Sequence, residues 1–439
     1  MWPFRSKQPE QKSAVPSGFS YVLPFGGGAG MQRNAEAYAR EGYSGNVVAH
    51  TCIRKIATSA ANVGLQLQKG DNADLVEKHP VLDLLARPNL VTSRSRFFEA
   101  LITWRLTAGD AFVVRLPWGE SKPSKGKPTQ LWLLEPHKMT VKADILGMPS
   151  AYEYRNGTDK LAFPVDQTTG ACDVAQFSSI NLLDRSRGLS PMAPAAFSVD
   201  THTSALRWNK ALLDNAGRPS GALVMMKNTD GSTGSLTDEQ YARLKEGIEE
   251  QYSGIANAGR PILLEGGLDW KEMSLSPTDM DFGNGKNSAA NDICMAYGVP
   301  PQLIGLPGSQ TFANYEQAVE TFWEDTVLPL LDDTLGTLNH WLLPMFGAEG
   351  LQLSADRDSI SALEPVRQMK YQRIDKVSFL STNEKRIEAG FDEADPNPTN
   401  PADMILVPAN VMPLDMVGAD LTPDDQTIPE DSHAGGAQE

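Results

Sequence analysis

One stretch constrains the chain more than any other: "YGVPPQLIGLPGSQTFANYEQ", Tyr297 to Gln317. Three prolines, two of them adjacent, and three glycines fall within it, and no charged residue occurs from Gly298 through Tyr315. The flanks read as helix. Proline restricts the residue before it and lacks a backbone donor, so Pro300 and Pro301 end the first helix. Asn314 is expected to cap the second, with Gln317 at the reciprocal capping position. A long neutral loop is thus held between two helices in a chain that is otherwise highly polar.

The 439 residues suffice for two or three domains with real cores. Hydrophobic residues make up 41% and charged residues 21%, as in soluble folded chains. No apolar run is long enough to span a membrane, and "MWPFRSKQPEQK" has no apolar core behind its charge, so a secretory signal is not expected. Cys52, Cys172 and Cys294 are far apart in the chain and odd in number. They show neither metal-ligand spacing nor a disulfide framework, which points to buried, inert thiols in a reducing cytosol. Net charge is −16, yet no Lys or Arg follows Arg386 while twelve acids do. The body is therefore near neutral and the end is an acidic appendage. No basic patch of a sequence-reading DNA-binding domain stands out.

Helix signals cover "GNVVAHTCIRKIATSAANV", with Val47, Cys52, Ile56 and Ala60 expected near one face. Alternating segments such as "DAFVVRL", "TQLWLLEPHKMTV" and "SAYEYRNG" give strands, so the first half reads as α+β with an antiparallel sheet. "SVDTHTSALRWNKALLDNAGRP" is a helix with Ser198 as candidate cap and Gly217 and Pro219 as stop signals. Residues 218–275 form a β-α-β insert, and "TDMDFGNGKNSAANDICMAYG" is a second helix whose start Gly283 and Gly285 weaken. A longer helix from Asn314 carries Tyr315, Ala318, Val319, Phe322 and Trp323 on one side and should kink at Pro329. Two helices broken near Ser381–Asn383 follow, then a tail of disorder-type composition.

No catalytic pattern emerges. The six histidines hold no metal-ligand spacing, "GNGKNS" lacks the Ser or Thr and the upstream glycine of a phosphate loop, and no GxSxG elbow occurs. Asp279 and Asp281 suit the helix dipole better than a calcium loop. No cofactor, metal or catalytic residue is assigned, and no enzyme is expected.

The ordered series "HPVLDLLARPN", "TAGDAFVVRL", "LWLLEPHKMTV", "GLSPMAPA", "LLDNAGRPSGAL", "LTDEQYARLKEGIEEQYSG", "MAYGVPPQLIG" and "FWEDTVLPLL" resembles the portal proteins of tailed bacteriophages, in the branch typified by the Hong Kong ninety-seven phage. The likeness runs through roughly residues 45–410. Prophages and gene-transfer particles use such portals too. The resemblance implies a ring, usually of twelve copies, around a double-stranded DNA channel at one capsid vertex of the virion, assembled in the bacterial cytoplasm. It implies a flexible segment at 1–30, a wing at 31–194, stem helices at 195–217 and 276–298 and a clip at 218–275. It further implies a tunnel loop at 299–313, a long kinked helix and wing return at 314–362, a crown at 363–410 and a disordered acidic tail at 411–439.

In this reading Gly305, Leu306, Pro307, Gly308, Ser309, Gln310, Thr311 and Phe312 face the channel. Asn228, Asp230, Glu246, Glu250, Arg260, Glu265 and Trp270 face the packaging machinery. Implied partners are DNA bound without sequence preference, the terminase large subunit, a head–tail adaptor or neck protein, the major capsid protein and scaffold; no membrane is implied. The ring would nucleate capsid assembly, and DNA would pass it in packaging and ejection. A different ring-forming neck or adaptor protein is the alternative expectation, and an unrecognised hydrolase the remote one.

Overall fold

The computed structural model describes residues 31 and 33–394, with breaks at 71–73, 120–121, 215–220, 307–311, 349, 378 and 392, and with 226–281 described only at 239, 242, 243, 246 and 268–272. It divides into two compact units, Met1–Ala362 and Leu363–Glu439.

In the first unit a short turn, α1 (Ala35–Ala37), leads through a π-helical segment to α2 (Val47–Asn62). Asn46 starts α2: its Oδ1 accepts from Val48 N at 3.0 Å and Ala49 N at 3.1 Å, satisfying donors that a helix start leaves open. The buried seam of α2 includes Val48, Cys52, Ile53, Ile56, Ala57 and Ala60. Val47, expected on that face, is 63% exposed. The reason is angular: five residues separate it from Cys52, which puts the two on different sides of a helix with 3.6 residues per turn.

After β1 (Gly64–Lys69) and β2 (Asp74–Leu75), α3 (Pro80–Ala86) stops before Pro88–Asn89. Asn89 Oδ1 accepts from Val91 N and Thr92 N, and its Nδ2 donates to Leu131 O, so the expected break is a built corner. α4 (Arg94–Ala108) begins at the Ser93 cap and ends in left-handed Gly109. Then come β3 (Asp110–Leu116), β4 (Gln130–Leu134), β5 (Met139–Ala143), β6 (Pro149–Asn156), β7 (Asp159–Pro164) and β8 (Val174–Ser178). They form two antiparallel sheets, ordered β4-β3-β8 and β5-β6-β7. Phe112, Val114, Met139, Tyr152, Phe163 and Val174 form one core cluster from these strands.

A buried ion pair joins β3 to the segment before β8. Arg115 Nε donates to Asp173 Oδ1 at 2.6 Å, with both side chains almost fully buried. Asp173 also accepts from Gly119 N and Ser124 N, and Arg115 Nη1 donates to Gly126 O at 2.7 Å. Buried charges are tolerated when paired and hydrogen-bonded in this way. The pair fixes the course of the loop between β3 and β4.

Helix α5 (Met192–Asp214) starts earlier than the sequence suggests. Ser190 Oγ accepts from Met192 N at 2.9 Å and so serves the start in place of Ser198. Ser198 is inside the helix, its hydroxyl donating to Asp292 Oδ2 at 3.2 Å. Gly217 and Pro219 lie outside the described residues. β9 (Gly221–Met225) and β10 (Leu268–Glu272) pair antiparallel, with Trp270 opposite Leu223. In α6 (Phe282–Tyr297), Gly283 and Gly285 are helical and exposed despite their low propensity. α5 packs along α6, and α6 also meets α2.

The last long run of this unit is α7 (Phe312–Thr321), a π-helical turn at Phe322–Val327, and α8 (Leu328–Phe346). The helix begins at Phe312, so Asn314 sits in its first turn and is not its cap. Pro329 falls at the start of α8, just after the wide turn. That turn takes up the break in hydrogen bonding that a proline imposes on a continuing helix. β11 (Leu351–Asp356) returns to pair antiparallel with β1, from Gly64↔Asp356 to Lys69↔Leu351. Buried Arg105 of α4 donates to Thr334 Oγ1 and pairs with Asp333, fastening α8 to α4.

The second unit holds α9 (Glu364–Lys376) and α10 (Thr382–Ala389). Ser381 and Glu384 make a reciprocal capping box, and Asn383 bonds both the N–H and the carbonyl of Ala394. The break between the two helices falls where the sequence predicts it.

Candidate functional site

The neutral stretch leaves α6 through a built turn. Gly298 N donates to Met295 O at 3.1 Å and Val299 N to Cys294 O at 2.9 Å, the paired bonds of a Schellman ending. Gly298 has φ 65°. Thr326, in the π-helical turn, donates its hydroxyl to Gly298 O at 2.6 Å. A Cβ on Gly298 would lie 2.8 Å from that hydroxyl oxygen, so glycine is needed for both backbone angle and space. Pro300 precedes a 3-10 turn, Pro301–Ile304, which Gly305 closes at φ 78°. Leu306 N then donates back to Pro301 O at 3.2 Å.

The loop base is therefore a succession of fixed turns, clamped at Gly298 to the helix that follows the loop. Gly305 is exposed with open space around it, and Leu306 is half-buried. Phe312 is the first residue of α7. Pro307, Gly308, Ser309, Gln310 and Thr311 lie outside the described residues, so the neutral segment is described from its two ends.

The residues behind the loop base are apolar and dense. Val299, Tyr297, Ile293 and Cys294 are buried, as are Cys52, Ile53 and Ile56 of α2. Burial pushes the Tyr297 phenol well above its ordinary range, and its hydroxyl lies 3.7 Å from Met192 Sδ at the start of α5. The start of α5, the end of α6 and the middle of α2 thus meet here. Cys52 and Cys294, far apart in the chain, are both buried on helices that pack together here.

A second junction ties α2 to α5. Asn46 Nδ2 lies 3.3 Å from Val199 O, 3.2 Å from His202 Nδ1 and 3.1 Å from Thr203 Oγ1. Burial, aided by the Lys286 ammonium, lowers the His202 pKa and favours the neutral ring that accepts from Asn46.

Of the second predicted set, Glu246 is exposed and helical, and Trp270 belongs to β10. Asn228, Asp230, Glu250, Arg260 and Glu265 lie outside the described residues. Sequence reasoning missed the Thr326 clamp and the Asn46–His202 junction. Both join positions distant in sequence, and neither leaves a local signature.

Among the described residues no group of three His, Cys, Asp or Glu is placed to hold a metal, and no helix is long and apolar enough to cross a membrane. What the arrangement offers is mechanical: a neutral loop on rigid supports, after two packed helices that bracket an insert.

Comparisons with known proteins agree with this architecture. The family model described as "Phage portal protein" matches residues 47–390. An uncharacterized protein of Rickettsia bellii is 35% identical over 351 residues, covering 80% of this chain and 88% of its own. A chain in the neck of an empty gene transfer agent particle, computed with C6 symmetry, superposes with a TM-score of 0.64 at 41% identity, covering 82% of this chain and 94% of that one. A chain in the neck of the native particle, computed with C12 symmetry, gives 0.61 at 40% identity, covering 83% and 95%. Sequence profile and superposition agree over most of the chain, and on that ground it belongs to the phage portal protein family, whose role is the ring channel for DNA packaging.

Proposed function

We propose that twelve copies of this chain close into a ring at one vertex of a capsid, and that residues 299–313 form the collar that DNA passes; the twelve-fold number follows the symmetry of the related neck. The observation that carries this reading is the neutral stretch on its clamped base. DNA moving through a channel must not stick. Lysines repeated around a ring would neutralise phosphates and hold the duplex in a salt-dependent way. A collar of amides, hydroxyls and apolar groups braces DNA sterically without that grip. Twelve copies repeat one head-to-tail interface that closes on itself.

Helices α5 and α6 act as the stem, and the insert between them as the clip that docks the terminase large subunit and later the head–tail adaptor. Residues 31–194 act as the wing, 363–410 as the crown, and the acidic end as a solvating tail. The chain has no phosphate loop of its own, so the motor's ATPase belongs to another chain. The 40% identity to gene transfer agent necks favours that kind of particle over a tailed virus. Electron microscopy of the purified protein tests the reading: rings with a central hole are expected, and discrete monomers alone overturn it.

A further inference from the structure

The loop between β3 and β4 carries three lysines close together, Lys122, Lys125 and Lys127. All three are exposed, and among the described residues none of them forms an ion pair. Asp166 lies near enough to feel Lys122, yet its Oδ1 accepts from Thr168 N at 2.8 Å and Thr169 N at 3.3 Å. Lys127 Nζ stands 5.9 Å from the centre of the Phe346 ring, a contact that steadies the side chain and leaves its charge uncompensated. In a chain with a net charge of −16, such a cluster is a local reversal of the field.

The backbone under these lysines is fixed from below. Buried Asp173 accepts from Gly119 N at 2.8 Å and from Ser124 N at 3.0 Å. Arg115 Nη1 donates to Gly126 O at 2.7 Å, and Nη2 donates to Ser124 O. Thr129 N donates to Leu116 O at 2.8 Å and closes the base. A buried ion pair adds little stability that apolar residues of equal volume would not supply. Here its hydrogen bonds go to a polar surface loop. What they secure is presentation: three ammonium groups on a backbone that loses little freedom when a ligand arrives.

The chemistry of the loop selects the partner. Only Pro123, Ser124 and Gly126 stand among the lysines, so the loop lacks the aromatic or aliphatic anchor that centres an interface with a folded protein. Lysine meets phosphate as a point charge, and no guanidinium fork is present in the loop to pair with carboxylates. We propose that Lys122, Lys125 and Lys127 bind the phosphate backbone of duplex DNA without reading its sequence. This inference rests on the portal reading, which brings DNA to the ring. The contact is separate from residues 299–313: it grips where the neutral collar lets DNA slide. A ring repeats the loop in every copy, and a duplex bridging neighbours gains from joint attachment.

The test titrates the full-length protein with a short fluorescent duplex of mixed sequence over a range of salt. Each phosphate contact adds about 0.9 to the slope of log affinity against log salt, so losing three should lower it by about 2.7 for each loop engaged. The triple variant Lys122→Gln, Lys125→Gln, Lys127→Gln is expected to bind at least about tenfold more weakly at low salt while melting as the wild type does. Lys122→Arg, Lys125→Arg, Lys127→Arg should keep the affinity. So should a charge-matched control, Lys69→Gln, Lys370→Gln, Lys376→Gln. Equal losses in the loop variant and this control overturn the proposal, as does an unchanged loop variant or a wild type that shows no salt-dependent binding. Preference of the three lysines for poly-glutamate over DNA also overturns it and assigns the loop to an acidic protein segment. Electron microscopy of the same samples keeps the two readings apart. Intact rings without loop-dependent DNA binding sink this inference alone, while monomers that bind DNA through the loop uphold it and sink the portal ring.

Discussion

Thr326 Oγ1 holds the carbonyl of Gly298 at 2.6 Å, and the same oxygen occupies the space a side chain on Gly298 would need. One hydroxyl thus both binds the loop base and requires the residue there to be glycine. The contact crosses the neutral loop, tying the end of α6 to the turn before α8.

Gly298→Ala is expected to destabilise the protein by about 1–2 kcal/mol, from the left-handed backbone angle and the displaced hydroxyl together. Thr326→Val, which keeps the shape and removes the donor, costs about 1 kcal/mol. The double variant should lose less than the sum, because the alanine already breaks the contact. Chemical denaturation of the three variants measures this; strict additivity would show that the two residues are not coupled.

The Arg115–Asp173 pair makes a sharper prediction. Asp173→Asn or Arg115→Met leaves one buried charge without its partner and should cost about 3–5 kcal/mol. Replacing both with apolar residues of similar volume should recover much of that loss. Thermal unfolding of the singles and the double decides it, and a double as unstable as the sum of the singles contradicts the account.

His202 gives the pH dependence. Its folded pKa is lowered from 6.5, so the unfolded chain binds the proton more readily. Its contribution is fully present above about pH 6.5 and is lost as pH falls through that value toward the folded pKa. Melting curves from pH 7.5 down to 5.5 should show this decline, and His202→Asn should flatten that part of the profile. An unchanged slope in the variant would assign the decline to other groups.

Gln310→Lys tests the neutral collar. Repeated around the ring, it adds a circle of cations facing DNA and should slow packaging, more strongly at low salt. The yield of filled particles measures it. Packaging at the wild-type rate in low salt refutes the low-adhesion role.

Much of this was legible in the sequence where the signal is local. The Pro300–Pro301 stop, the corner at Pro88–Asn89, the alternating strands and the break near Ser381–Asn383 each declare themselves within a few residues. Asn314 misled because its capping pattern is genuine, yet the backbone is already helical from Phe312. Ser198 misled in the same way: a good cap residue lies inside α5, while Ser190 does the work two residues before the helix starts. Pro329 promised a kink, and the π-helical turn ahead of it answers the same constraint in another form. The clamp, the Asn46–His202 junction and the buried ion pair were hidden because their partners are set by the tertiary fold alone.

The central claim is that residue 310 stands at the channel wall where DNA passes. A photocrosslinking amino acid placed at 310, in particles stalled during packaging, measures this directly, with the same group at exposed Ile145 as the control. The account predicts DNA adducts from 310 and none from 145. Stalled particles that hold DNA in the channel but give no adduct from 310 would contradict it.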